Sequence, residues 1–289
     1  MLTYKPINFQ EHIDDILELI TEHLDTKFSQ SFFRWKHMDN PFGVSFAMGA
    51  WDSKKLVGLR LFMRWEFIGP NDKIVKAIRP VDTVTHKDYR GKGIFKTLTL
   101  QGLESEHNNY DIIFNTPNQN SLPGYLKMGW QKNDLPDTFL YGVINPFVKN
   151  NHKVVFTFNI DNLPKSDARV WQTFKNESFL KWRYQDESFR FATLPEAGLV
   201  VYKVIKVKGF KMIIIYEIIG QNNVVSGIIA SISLKEKTFL CYGYFGTATA
   251  ELPFLIRFKR NNPVVVWRDD KFDIHENMTF SLGDLEGKL

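Results

Sequence analysis

The run Tyr89-Arg90-Gly91-Lys92-Gly93-Ile94-Phe95-Lys96-Thr97 holds residue types and spacings that could do chemistry. Two glycines stand between cations, and Ile94, Phe95, Leu98 and Leu103 follow at helical spacing, so a loop enters a helix here. Such a loop offers unpaired backbone N–H groups and the positive end of the helix dipole, which suits a phosphate or pyrophosphate. Arg90 and Lys92 add charge, while Gly91 and Gly93 permit close backbone approach. Taken alone, the loop fits an ordinary strand-to-helix turn with solvated cations equally well.

A strand must feed that loop. Val81-Asp82-Thr83-Val84-Thr85 supplies it, rich in β-branched residues that suit a pleated surface. Upstream, a short edge strand spans Thr3 to Ile7. Ile13, Ile16, Leu17, Ile20 and Leu24 mark an amphipathic helix, and Ser31 to Met38 a second, shorter one. Strands over Ser45 to Trp51 and Leu56 to Phe67 come next, then a turn at Pro70-Asn71-Asp72 and a short strand Lys73 to Ala77. After the glycine loop, a helix to about His107 precedes a buried strand, Asp111 to Asn115. Leu122 to Met128 forms a short helix closed by Gly129, and Thr138 to Ile144 one more strand. Strands alternating with helices after a hairpin region predict a mixed α/β sheet.

At 289 residues, two domains are expected, and 44% apolar residues, with 25 Phe and 7 Trp, suffice for two cores. No run approaches the ~20 apolar residues of a membrane span, and Met1 to Lys5 does not read as a signal peptide. Cys241, the sole cysteine, excludes an internal disulfide and a multi-cysteine zinc site. A reducing, cytoplasmic location and a buried structural thiol follow. A net charge of +5, with the cations scattered, fits a solvated surface or a small anionic ligand before a nucleic acid.

Asn145 to His152, polar with a proline, marks the boundary between domains at 1–148 and 149–289. Beyond it, Ser178-Phe179-Leu180-Lys181-Trp182-Arg183-Tyr184-Gln185-Asp186 echoes Ser31-Phe32-Phe33-Arg34-Trp35-Lys36-His37-Met38-Asp39. Ser, Phe, Trp and Asp recur in register, with Arg/Lys exchanges at two further positions. This predicts an internal duplication. The second half then reads as a strand over Val154 to Ile160 and a helix over Lys165 to Lys175. A hairpin follows about Gly209, with helices over Val224 to Ser233 and Ala248 to Phe258, and strands over Thr238 to Tyr244 and Pro263 to Trp267. Gly220-Gln221-Asn222-Asn223 replaces the basic glycine loop.

Arg90-x-x-Gly93 at a helix start resembles the acyl-CoA pyrophosphate signature of the GNAT superfamily of N-acetyltransferases, with Phe95 where Gly or Ala is usual. Asn120 and Tyr125-Leu126-Lys127-Met128-Gly129-Trp130 are similar to the second signature, and the resemblance covers about residues 1–145. It implies two GNAT-like domains, each a twisted mixed sheet flanked by helices, with a degenerate second copy. Thr83, Val84 and Thr85 would pair with pantetheine amides, and Val84 would lend an oxyanion-stabilising N–H. Arg90, Gly91, Lys92, Gly93, Ile94 and Phe95 would hold the pyrophosphate, and Asn120 would bond coenzyme A or the loop backbone. Phe95 fits if its ring points into the sheet.

Tyr125 is the candidate general acid, set against a tyrosine that merely packs under the helix. Asp82 is a candidate catalytic carboxylate, set against a structural bond to Arg79 or a water chain as the base. His86 reads as a solvated loop residue. Asn118 and Arg34 could line the acceptor site, although the repeat assigns Arg34-Trp35 to packing. No Ser or Cys nucleophile constellation is visible. The resemblance implies acetyl transfer from acetyl-CoA to a primary amine of a small molecule, an amino sugar being one candidate, by direct attack, with no metal, nucleic-acid or membrane partner. A Fem-type aminoacyl-tRNA-dependent transferase and a non-catalytic acyl-CoA-binding protein are the alternatives; the former generally lacks Arg-x-x-Gly.

Overall fold

The computed structural model describes residues 1–133, 138–145, 147–148, 153–158, 170–195, 197–220, 222–245, 252–260 and 264–285. In chain order its elements are β1 (Leu2–Pro6), α1 (Phe9–His23), α2 (Gln30–Phe33), β2 (Phe46–Asp52), β3 (Lys55–Ile68), β4 (Ile74–Thr85), α3 (Ile94–Glu106), β5 (Ile112–Asn115), α4 (Leu122–Lys127) and β6 (Gln131–Asn133). They continue with β7 (Thr138–Ile144), β8 (Gln172–Thr173), α5 (Glu177–Arg183), β9 (Arg190–Leu194), β10 (Gly198–Val207), β11 (Phe210–Gly220), α6 (Asn222–Glu236), β12 (Leu240–Phe245), β13 (Phe254–Arg260), β14 (Val265–Arg268) and α7 (Leu282–Leu285).

Two compact units result. One comprises Met1–Ile68, Lys73–Asn133 and Val264–Glu276, the other Gly69–Asp72, Asp134–Pro263 and Asn277–Leu289. The division falls at Asn133, ahead of the expected boundary near residue 148, because β7 belongs to the second sheet and β14 to the first. β7 pairs with β12 and β13. β14 pairs with β5 through Val266↔Asn115 and with β6 through Val266↔Lys132.

In the first unit the strand order is β1-β2-β3-β4-β5-β14-β6, with β4 and β5 parallel and the neighbouring pairs antiparallel. Asn8 caps α1 by accepting from the Gln10 N–H. Ile16, Leu19 and Ile20 of that helix are buried with Phe33, Leu59, Leu61 and Val84. A second cluster gathers Met48, Phe62, Ile94, Leu98, Leu103, Tyr125, Trp130 and Val266 around α3 and α4. Each fully buried side chain of this size contributes about 1.5–3 kcal/mol of transfer free energy. α3 can lie close to the sheet because Gly102 faces Phe62: a Cβ there would sit 2.4 Å from its ring.

Strand β4 runs unbroken from Ile74 through Pro80 to Thr85, where two shorter strands were expected. Its antiparallel pairing to β3 carries it past the proline, through Phe62↔Pro80. The pairing to β5 is brief, Ala77↔Ile112 and Ile78↔Ile113. Pro80 lacks an N–H and stands two residues beyond the last of those pairs, so the strands part where the ladder loses a donor.

The second unit has a mixed sheet ordered β13-β7-β12-β11-β10-β9, with β11 and β12 parallel. Val200, Tyr202, Ile213, Ile215, Ile228, Ile229 and Cys241 form its core; burial raises the Cys241 thiol pKa well above its ordinary value. Here, as in the first unit, an antiparallel hairpin leads by a helix to a parallel strand. α6 begins at Asn222, two residues beyond the end of β11, too soon for a loop like Arg90–Gly93.

Three expectations fail in this half. Val155 forms only an isolated bridge to Thr193, not a strand over Val154 to Ile160, whose last two residues lie outside those described. Residues 170–175 hold strand β8, not a helix; 165–169 lie outside the described residues. Phe254–Arg260 is strand β13 where a helix was expected, its β-branched and aromatic content fitting a sheet better than the helical spacing suggested, and 248–251 lie outside the described residues.

Candidate active site

Where β4 leaves β5, a bulge sets Asp82 and Thr83 opposite the single residue Arg60: the register passes from Leu59↔Val84 to Leu61↔Val81. Asp82 takes φ +43°, the left-handed region that a non-glycine residue occupies at some cost. The Arg60 side chain is 1% exposed. Its Nη1 donates to Thr83 Oγ1 and its Nη2 donates to Tyr125 Oη at 2.7 Å. Asn115, at the end of β5, donates Nδ2–H to the same Tyr125 oxygen at 2.5 Å. The buried Tyr125 hydroxyl thus accepts two hydrogen bonds and keeps its own proton for a third partner.

Phe95 settles against this pair. Its ring lies 5.8 Å from the Tyr125 ring, edge-on, and 5.0 Å from the Arg60 guanidinium. The side chain packs toward the sheet, which leaves its backbone at the helix start. Trp130 meets Tyr125 from another side at 4.8 Å.

The glycine loop stands open. Gly91 and Gly93 have φ +78° and +76°, and a Cβ at either would meet nothing within 4 Å. Gly93 is the N-cap of α3, no side chain caps the helix, and its first turn carries no acid. The first helical bond runs from the Thr97 N–H to Gly93 O, so the N–H groups of Ile94, Phe95 and Lys96 precede the intrahelical ladder. Arg90, Lys92 and Lys96 are exposed; Lys92 lies over the Tyr89 ring at 4.4 Å, and Arg90 Nε donates to Thr85 O at 3.4 Å. Open glycines, uncapped N–H groups and cations fit a pyrophosphate.

Asp82 is already engaged. Its Oδ2 lies 2.6 Å from Lys36 Nζ and 2.9 Å from His37 Nε2, not beside Arg79, which donates to Thr116 Oγ1. Burial alone would raise this carboxyl, but the Lys36 ammonium and the His37 hydrogen bond overcome it and hold it well below the usual carboxylate range. Burial also lowers the His37 imidazole despite Asp82. One turn of π-helix, Arg34–Met38, brings Lys36 and His37 to the bulge. His37 Nδ1 meets Ser45 Oγ at 3.0 Å, so a Ser45–His37–Asp82 chain exists that the sequence did not reveal. Ser45 and His37 are 5% and 0% exposed, so the chain ties the sheet to the helix and offers no accessible nucleophile.

Other expected residues fall elsewhere. Asn120 is exposed, and its backbone N–H bonds Asn118 Oδ1; Asn115 fills the place beside Tyr125. Asn118 closes the turn into α4 by also accepting from the Ser121 N–H. Arg34 is exposed while Trp35 is buried. His86 is 7% exposed, against the solvated reading, because its ring packs on His23. Arg60 and Asn115 were missed. A signal for Arg60 was present: a lone cation within Leu56-Val57-Gly58-Leu59-Arg60-Leu61-Phe62-Met63 must be buried and must find a partner.

Residues 3–132 match the family described as Acetyltransferase (GNAT) domain. No curated protein sequence matches the chain. Among solved structures, a conserved protein of unknown function from Enterococcus faecalis, titled a probable N-acyltransferase, superposes with TM-score 0.74 at 12% identity, over 95% of this chain and 74% of that one. GCN5-related N-acetyltransferases from Anabaena variabilis (TM-score 0.70, 11% identity, 93% of this chain and 73% of that one) and Kribbella flavida (0.68, 13%, 94% and 72%) share the fold as well. Residues 3–132, nearly all of the first unit's N-terminal segments, thus match a GNAT acetyltransferase domain, and the solved structures share the fold of the chain.

Proposed function

We propose that the chain is an acetyl-CoA-dependent N-acetyltransferase acting on the primary amine of a small molecule, an amino sugar being the first class to test. The observation that carries this is the open, uncapped Gly91–Gly93 loop at the start of α3, fed by the strand that parts from β5. Arg90, Lys92 and the N–H groups from Gly91 to Phe95 bind the pyrophosphate, and the freed edge of β4 at Thr83, Val84 and Thr85 pairs with pantetheine. Val84 N–H steadies the developing oxyanion. Acetyl-CoA supplies the activated acetyl group. Asn120, exposed in the turn into α4, bonds coenzyme A in this reading.

In this reading the amine attacks directly within a ternary complex. Tyr125 donates its free proton to the departing thiolate, and the Arg60 guanidinium steadies the phenolate left behind. Asp82, held ionised by Lys36 and His37, is too weak a base to take a proton from an ammonium. Its part is to fix the bulge, and the amine's proton leaves through water. Chemistry on acetyl-CoA assigns the protein to the cytoplasm, and among the described residues no helix is long and apolar enough to cross a membrane. Thiol release from acetyl-CoA, followed across a panel of amines, tests the reading. Amine-dependent release with sequential kinetics is expected; ping-pong kinetics, or no release with any amine, would contradict it.

A further inference from the structure

At the C-terminal end of α1, Glu22, His23 and His86 bring a carboxylate oxygen and two imidazole nitrogens within 4.8 Å of one another. The His23 and His86 rings are 4.3 Å apart. The His23 side chain is 8% exposed, and its Nε2 has no hydrogen-bond partner, although Glu22 Oε2 stands 3.4 Å away. A buried polar atom in that condition calls for an explanation. A cleft opens at the same place, lined by Asp15, Glu18, Glu22, Lys55 and His86 among others. Its three carboxylates recur along one face of α1 and draw cations to it.

Two imidazoles and one carboxylate, with a position left open, are the donor set of borderline divalent metals. We propose that Glu22, His23 and His86 form a binding site for one divalent transition-metal ion of the zinc type. With zinc bonds of roughly 2.0–2.1 Å, donors at tetrahedral angles stand about 3.3 Å apart, so a group within 4.8 Å has at most about 1.5 Å to close. Glu22 is exposed and free to adjust. Lys55 Nζ now lies 3.2 Å from His86 Nε2 and competes for that nitrogen as the resident cation. Lys55 is itself exposed and can swing away. His86 Nδ1 now accepts from the Asp88 N–H at 3.3 Å, with the Asp88 carboxylate 3.7 Å away. Metal on Nε2 puts the remaining proton on Nδ1, which then releases that N–H and donates to the carboxylate, the outer partner that a ligating histidine usually has. His86 opens the turn Lys87–Tyr89 that leads into Arg90, so the ion fastens α1 to the base of the glycine loop.

Chelator-treated full-length protein, titrated with zinc chloride by calorimetry and with cobalt chloride by visible absorption, tests the site. One equivalent of zinc is expected to bind, with cobalt bands of tetrahedral intensity. His23→Asn and His86→Asn should each weaken binding roughly tenfold or more, since even outer-shell partners are worth that much. The surface change Lys55→Ala, which leaves the ligands intact, should tighten it. Absence of saturable one-equivalent binding, binding that survives in the double variant His23→Asn/His86→Asn, or no tightening in Lys55→Ala would each overturn the proposal.

Discussion

Arg60 and Tyr125 form the pair on which turnover is expected to depend. Tyr125→Phe keeps the ring that packs on Trp130 and Phe95 but loses the proton. It should leave acetyl-CoA affinity intact and lower turnover about 100-fold, the lower end of what a positioned acid supplies. Unchanged turnover in steady-state assays would remove the assignment. Arg60→Lys should cost nearly as much, because one ammonium cannot replace a guanidinium that reaches Thr83 and Tyr125 together. Asp82 yields a prediction in pH. Its carboxyl titrates lower in the folded state than the unfolded value of about 3.9, so its stabilisation is fully present above that value and is lost as pH falls below it. Asp82→Asn leaves Lys36 buried without its carboxylate and should cost about 3 kcal/mol at neutral pH. Urea unfolding at stepwise lower pH should show the gap between wild type and variant closing below about pH 4; a constant gap would mean the ion pair contributes nothing.

At the scale of elements, α3 and the sheet beneath it set the loop in place. Gly102→Val would drive a side chain into the Phe62 ring, lift α3 and cost about 2 kcal/mol, read as a lower urea midpoint. Most of this layer was legible in the sequence. The periodicity of Ile13 to Leu24 and the Ile94-to-Leu103 stripe gave α1 and α3, and Arg90-Gly91-Lys92-Gly93 gave the loop between β4 and α3. What stayed hidden was long-range. Asp82, Lys36 and His37 meet only because a bulge and a π-turn converge, and neither has a local signature. Phe254–Arg260 misled because spaced apolar residues in a short run serve a helix or a strand, and pairing with β7 decides.

Across the whole molecule, pairing overrides chain order. Residues 1–148 carry every loop residue of the proposed site, yet they lack β14, whose Val266, Trp267 and Arg268 cover the edge of β5. Arg268 also donates to Met128 O and Lys271 to Tyr110 O, fastening the segment down. A chain cut after residue 148 should therefore lack cooperative unfolding, and addition of residues 264–276 through a linker from Asn133 should restore it. No sequence pattern announces that β7 and β14 change sheets, since each reads as an ordinary strand wherever it pairs. The second sheet is mixed like the first, and among the described residues the start of α6, two residues after β11, leaves no room there for a loop like Arg90–Gly93. The central claim is thus one acetyl-CoA site per chain, at Gly91–Gly93. Calorimetric titration of the intact protein with acetyl-CoA tests it most directly. One equivalent should bind saturably, and Gly93→Asp, which sets a carboxylate at an exposed position of φ +76°, should abolish that binding while the fold persists. No saturable heat into the low-millimolar range, two equivalents per chain, or undiminished binding by Gly93→Asp would contradict it.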